Sequence, residues 1–400
     1  MRIVFMDRAE WRTKLYPLTL TRPVSELRVG IVTITEKWTK RLKLNHSFLT
    51  EDYLSDKYPL TLGDEQEFLF VRGNCCPDDA LIDKVQTLSI GDALVDEAGI
   101  ILAKTDRAGA EKFVSIQDET LFSNHTYHTA FSLDYSEDIF LNNGEQIKLD
   151  FDFLTKGRVS AKLSATNQIL GDQVFAEEGA KVECSILNSL TGPIYLAKNS
   201  EVWENCAVRG PFALGEESQL KMGARVYSNV TVGPFSRVGG EMNTCVILGY
   251  SSKGHDGYLG CAVMGEWCNW GADTNNSNLK NNYKPVKVYD YTLKGFRKTN
   301  LQFYGLIMGD HSKCAINTAF NTGTIVGVGA SIFGAGFPPV FIPDFSWGGP
   351  DGFTEYKLEN MLDTAELVFA RRNRPFDQQE SDILKHVFEL TADYRRLHIK

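Results

Sequence analysis

A rhythm of six residues constrains the fold of this chain more than any other feature. Reading every sixth position gives Leu190, Leu196, Val202, Val208, Leu214, Leu220, Val226, Val232 and Val238. At ~0.2 per position, an unbroken run of Leu or Val this long arises by chance on the order of once in a million. A second run keeps the same step through Met308, Cys314, Phe320, Val326 and Ile332, and the positions two before these are mostly small (Leu306, Ser312, Thr318, Thr324, Ala330). A period of six does not describe a helix face, which repeats every 3.6 residues. It describes a parallel β-helix, in which each hexapeptide supplies a short strand and a turn. One apolar residue per repeat stacks on its counterpart in the next coil, so no coil is stable alone. Glycine follows the apolar position in Leu214-Gly215, Val232-Gly233, Val238-Gly239, Met308-Gly309 and Val326-Gly327, which predicts turns that need an unusual φ. A sandwich of short strands is the competing architecture.

The remaining segments have other textures. Residues 1–155 mix continuous apolar runs, Ile3–Met6 and Phe68–Val71, with helix-compatible pieces such as Pro77–Leu88. Such runs are expected of strands buried on both faces of a largely parallel sheet, so this part reads as an α/β domain. The β-helix occupies 160–345. A basic, aromatic stretch at 279–300 interrupts its rhythm and reads as a protruding loop of the kind that carries binding groups. Residues 354–400 form a helical tail divided by Pro375, expected to cover an open solenoid end or a neighbouring subunit.

No stretch of ~18 apolar residues is present, and the apolar start is too short for a signal-peptide core. The eight cysteines include no C-x-x-C pair and read as reduced thiols of a cytoplasmic protein. A net charge of −9 repels phosphate backbones, which argues against a nucleic-acid binder.

Only His255 and His311 fall in the β-helix region. A metal-dependent hydratase of the γ-carbonic-anhydrase type needs three converging histidines, one more than are available. The stretch 255–278, H-D-G-Y-L-G-C-A-V-M-G-E-W-C-N-W-G-A-D-T-N-N-S-N, resembles the acetyltransferase half of the bacterial bifunctional N-acetylglucosamine-1-phosphate uridyltransferase/glucosamine-1-phosphate acetyltransferase family. His255, Tyr258, Gly260, Gly265, Asn269, Gly271, Ala272, Thr274 and Asn278 match that family's motif without gaps. The resemblance implies a left-handed β-helix and a homotrimer, with acetyl-CoA bound between coils of adjacent subunits. It implies His255 as general base, because a neutral imidazole near pH 7 can take the proton of an attacking amine. Asn278 would orient the base or polarise the carbonyl. Tyr258, Asn269 and Lys284 would hold a sugar phosphate, with Arg225 or Arg237 as the family's arginine. The family's phosphate-binding lysine aligns with Asn243, and the glycine after its Gly-Ala with Asp273.

The first part resembles a divergent uridyltransferase-like family fused to hexapeptide repeats. The residues that carry this are Arg12, the segment Leu15–Pro23, Leu27-Arg28-Val29-Gly30, Glu36-Lys37-Trp38, Arg72-Gly73-Asn74 and Asp138–Gly144. The resemblance implies a Rossmann-like nucleotidyltransferase fold that passes a nucleotidyl group from UTP or dTTP to a sugar 1-phosphate with Mg²⁺. The usual glycine-rich phosphate loop is replaced by Asp7–Arg12. Arg12, Arg22, Arg28 and Lys37 would then neutralise nucleotide phosphates, and Asp7 is the candidate metal ligand. The alternative is a domain that has lost catalysis, in a trimeric scaffold or regulator that binds a nucleotide sugar. The expected partners are sugar phosphates and nucleotides, without nucleic acid or membrane.

Overall fold

The computed structural model describes residues 1–127 and 131–399; Lys400, the last residue expected in the tail, lies outside them. Contacts divide the chain into two compact units, one of residues 1–15, 21–27 and 32–134, the other of 16–20, 28–31 and 135–400.

The first unit is built on a six-stranded sheet in the order His46–Leu49, Arg2–Met6, Glu67–Arg72, Gly99–Asp106, Asp92–Asp96, Ser123–Thr126. The first three strands run parallel, as their apolar runs predict. The sheet then departs from the expected parallel pattern. Glu67–Arg72 and Asp92–Asp96 both pair antiparallel with Gly99–Asp106. Asp96 faces Gly99 across a two-residue turn, and so short a connection permits only a hairpin. Val4, Met6, Phe68, Phe70 and Phe113 share one core. Helix Ile34–Leu42 starts on a capping box between Thr33 and Glu36, and helix Asp79–Thr87 on the Asp78 carboxylate, which satisfies amides left orphaned at a first turn.

The second unit is a parallel β-helix with three strand faces. The first face pairs Ile194–Leu196, Phe212–Leu214 and Val230–Val232 in register, so that Leu196, Leu214, Val232 and Ile247 stack. The second face stacks Val202, Leu220 and Val238, and the third stacks Leu187, Val208, Val226 and Met242. All of these residues are buried in a single core with Met308, Cys314, Phe320, Val326 and Ile332. The hexapeptide rhythm therefore describes the coils from Leu196 onward. Leu190 does not join them and is 72% exposed. Leu187 fills the interior instead, because the chain between Leu187 and Leu196 is three residues longer than the repeat.

The repeat glycines have a different cause from the one expected. Gly215, Gly233, Gly239, Gly309 and Gly327 are absent from the positive-φ positions, whereas Phe235, Tyr250, Trp267, His311 and Phe345 occupy left-handed corners. What the glycines supply is room. A Cβ on Gly233 would stand 1.9 Å from the Leu248 carbonyl oxygen, and one on Gly327 would stand 2.3 Å from the Asp344 amide nitrogen. Adjacent coils approach too closely there for any side chain.

The insert is not a bare protruding loop. Lys287–Asp290 and Gly295–Lys298 form an antiparallel hairpin, with Val288, Tyr289 and Tyr291 buried and Tyr289 stacked 3.5 Å from Phe341. The tail comprises three helices, Leu358–Ala370, Gln378–Leu390 and Ala392–His398. The first places Phe369 3.7 Å from Trp267, which itself stacks on Tyr250 and, through it, on Phe235. No helix among the described residues is long and apolar enough to cross a membrane. The cysteines form no disulfide among the described residues, and all except Cys184 are buried.

Candidate functional site

Parallel pairing places Arg225, Glu241 and Tyr258 side by side on the third face, with Asn275 next in the column, its side chain accepting from the Tyr258 amide at 2.8 Å. His255 is exposed at the corner that leads into this face. The Asn278 amide donates to the Tyr258 hydroxyl at 2.9 Å and lies 3.5 Å from the Cys261 sulfur. Burial, reinforced by the neighbouring Cys261 and Cys245 thiols, pushes the Tyr258 hydroxyl up to about 12. It is therefore a neutral hydrogen-bonding group at physiological pH. Arg225 lies 3.3 Å from Asp256 and 3.8 Å from Glu241, so an anion that reaches it competes with two carboxylates.

The structure brings His255, Tyr258, Asn278 and Arg225 to one region and leaves the other expected residues elsewhere. Asn269 and Arg237 belong to the second face, in a column that reads Arg237, Ser252, Asn269, Lys313. The Arg237 guanidinium donates to the carbonyls of Glu217 and Ser236. Lys284 is exposed on the insert. A corner of the coil separates Tyr258 from Asn269, which sequence spacing alone does not show.

One residue of this region escaped the reading of the sequence. Lys253 takes the interior position that Val238 holds one coil earlier and is 2% exposed. Its ammonium donates to the carbonyls of Gly239 at 2.8 Å and His255 at 3.0 Å, and burial pulls it down to about 8. It ties the backbone of His255 to the coil below. The available signal was a lysine fifteen residues after Val238, where the shortened coil breaks the six-residue count.

In the α/β unit the basic candidates are internal. Arg12 is 1% exposed and pairs with Asp7 at 2.5 Å, while also donating to the Tyr53 hydroxyl and the Arg22 carbonyl. Arg22 and Lys37 are 4% and 1% exposed. The Asp7 carboxylate further accepts from Thr50 at 2.5 Å and from the Val24 amide at 3.0 Å. A cation would have to displace Arg12, and among the described residues no three His, Cys, Asp or Glu side chains converge to hold a metal. The residues present do not fit a Mg²⁺ site at Asp7. Arg28 lies in the second unit, where its guanidinium donates to the carbonyls of Ile31 and Leu248. The Gly30 amide donates to Asn143 at 2.8 Å, and Asn143 in turn binds Asn229 and Thr231. The L-R-x-G and N-G motifs thus meet each other and pin helix Ser136–Thr155 to the β-helix. In the same way, Trp38 donates to the Cys75 carbonyl and Arg72 forks onto Asp96.

The fold defines a two-part chain, an α/β unit joined to a parallel β-helix with a helical tail. Residues 3–159 match the family described as sugar nucleotidyl transferase, which makes the first part nucleotidyltransferase-like. The chain is similar to the bifunctional protein GlmU of Methanocaldococcus jannaschii, 33% identical over 111 residues that cover 27% of this chain and 26% of that one. It is similar also to GlmU of Methanococcus maripaludis strain S2, 28% identical over 167 residues, or 41% and 39% of the two chains. The chain thus spans about a quarter of the length of the first of these relatives and about two fifths of the second. A solved UDP-N-acetylglucosamine acyltransferase from Campylobacter jejuni covers 58% of this chain and 83% of its own at 15% identity, with a TM-score of 0.24, too loose a likeness to bear on function. The resemblance drawn from the motifs is borne out at the level of a divergent relative.

Proposed function

We propose that the chain is a transferase of sugar-nucleotide biosynthesis whose β-helix unit moves an acetyl group from acetyl-CoA to the amine of an amino-sugar phosphate resembling glucosamine 1-phosphate. The observations that carry this reading are the exposed His255 at the corner three residues before Tyr258, the Tyr258–Asn278 hydrogen bond, and Arg225 in register on the same face. The amine nitrogen attacks the thioester carbonyl, and the C–S bond breaks as the tetrahedral intermediate collapses. The His255 imidazole accepts the amine proton and returns it to the departing thiolate. Asn278 steadies the tyrosine hydroxyl, and Arg225 attracts the acceptor phosphate. Lys253 holds the His255 backbone. Because Asn269 and Arg237 occupy a different face, a site that uses both sets takes them from two copies, in keeping with a homotrimer.

The test follows thiol release from acetyl-CoA with a panel of amino-sugar phosphates. His255→Ala should slow it by about 10²–10⁴-fold, the usual worth of a positioned base; equal rates for the variant and wild type would sink the reading.

The buried state of Arg12, Arg22 and Lys37 favours a second reading for the α/β unit, a nucleotide-sugar-binding scaffold without turnover. Incubation with UTP or dTTP, hexose 1-phosphates and Mg²⁺ decides it, since pyrophosphate release would restore nucleotidyl transfer.

A further inference from the structure

Between the second face of the β-helix and the end of helix Leu358–Ala370 lies a cavity of about 260 Å³, lined by Tyr250, Ser252, Trp267, Cys268, Asn269, Lys313, Val368, Arg371 and Arg372. Its charged lining is entirely cationic. Among the described residues, neither the Arg371 nor the Arg372 guanidinium makes an ion pair or hydrogen bond, and the Nε of Arg372 is buried without a partner. Burial, with the like charges of Arg237 and Arg371 beside it, lowers the affinity of Arg372 for its proton. Lys313 has only the His311 carbonyl, at 2.8 Å, and burial pulls its ammonium down to about 8. Uncompensated cations crowded in a half-buried space are costly, and the arrangement becomes favourable once an anion enters.

The walls hold this arrangement open. Trp267 is sandwiched between Tyr250 at 4.4 Å and Phe369 at 3.7 Å, so the aromatic faces are already used and leave no platform for a stacked base. The donors come from separate elements: a strand lysine, two arginines at a helix end, an asparagine amide and a serine hydroxyl. Such a convergent set matches the several oxygens of a phosphate better than the two of a carboxylate, which one arginine would satisfy. The volume admits a phosphate with a small polar body and is too small for a dinucleotide.

We infer that this cavity is an anion site for a compact phosphorylated ligand, a phosphomonoester or diphosphate of sugar-phosphate size, built on the second face around Lys313, Arg371 and Arg372 and apart from His255 and Tyr258 of the same chain. The inference does not rest on acetyl transfer, and its test reads binding alone. Calorimetry on the full chain, with sodium pyrophosphate as probe at fixed ionic strength, should show saturable binding. The paired variant Arg371→Gln/Arg372→Gln removes two uncompensated charges just past the helix end and should weaken that binding at least tenfold without lowering the melting temperature. Ser252→Trp, which fills the cavity from the opposite wall, should weaken it to the same extent. Absence of binding by the wild type, or affinity within threefold of wild type for either variant, overturns the site.

Discussion

Arg12, Arg22 and Lys37 of the α/β unit and Lys313, Arg371 and Arg372 of the β-helix unit are the same residue types put to opposite uses. The first group is sunk among partners, with Arg12 matched by Asp7 and by two further oxygens. The second surrounds a space without a carboxylate in its lining. Two aspartates repeat the contrast. Asp7 is buried against a guanidinium, whereas Asp344 is buried against the Tyr291 hydroxyl and the Val328 amide. A basic or acidic side chain therefore marks a place where charge matters, and its neighbours decide whether the charge is spent inside the fold or offered to a ligand.

The contrast can be broken most severely at Arg12. Arg12→Met should destabilise the chain by about 3–5 kcal/mol, because Asp7 would be left as an uncompensated buried charge; urea denaturation measures it, and a loss below about 1 kcal/mol would show that the pair is replaceable. Within the β-helix, Leu187→Ala should cost about 2–5 kcal/mol, the usual range for emptying a core site, with the same measurement as the check.

Asp344 should respond in the opposite direction. Burial pushes its carboxyl up to about 6, so the folded chain keeps that proton while the unfolded chain releases it near pH 4. Its contribution to stability is whole below pH 4 and is lost as the pH rises through 6. Asp344→Asn should match wild type at pH 4 and exceed it by about 2–3 kcal/mol at pH 7, a shift of roughly two pKa units converted to free energy; thermal melts at both pH values would show it, and an equal difference at the two would refute the assignment. The smallest effect belongs to Leu190→Ser, expected within about 0.5 kcal/mol of wild type because the side chain is already in water. A large loss there would return Leu190 to the core and Leu187 to the surface.

These pairs also show how far the residues could be read unaided. The six-residue period was legible because inward positions stack coil upon coil. It failed at Leu190, where a lengthened corner shifts the phase, and at Lys253, where a shortened coil shifts it back. The parallel half of the α/β sheet was legible in Ile3–Met6 and Phe68–Val71, while the antiparallel half depends on the turn between Asp96 and Gly99. The stretch His255–Asn278 was legible as a motif, but a motif does not record the corner that sends Asn269 to another face. The basic motif residues near the start looked like phosphate ligands because burial is a property of the whole unit. The L-R-x-G and N-G signatures are equally deceptive, since their shared purpose is the Gly30–Asn143 hydrogen bond.

The stack that runs from Phe235 through Tyr250 and Trp267 to Phe369 has a consequence for how the solenoid comes apart. Coils that touch only their immediate neighbours can peel away one at a time from an open end, like a spring unwinding. Here the tail reaches back past the final coils to grip Trp267 near the middle, while Phe388 also holds Phe345 in the last of them. The terminal coils are bracketed between two grips on the same strap, and the strap must let go before any of them can fray.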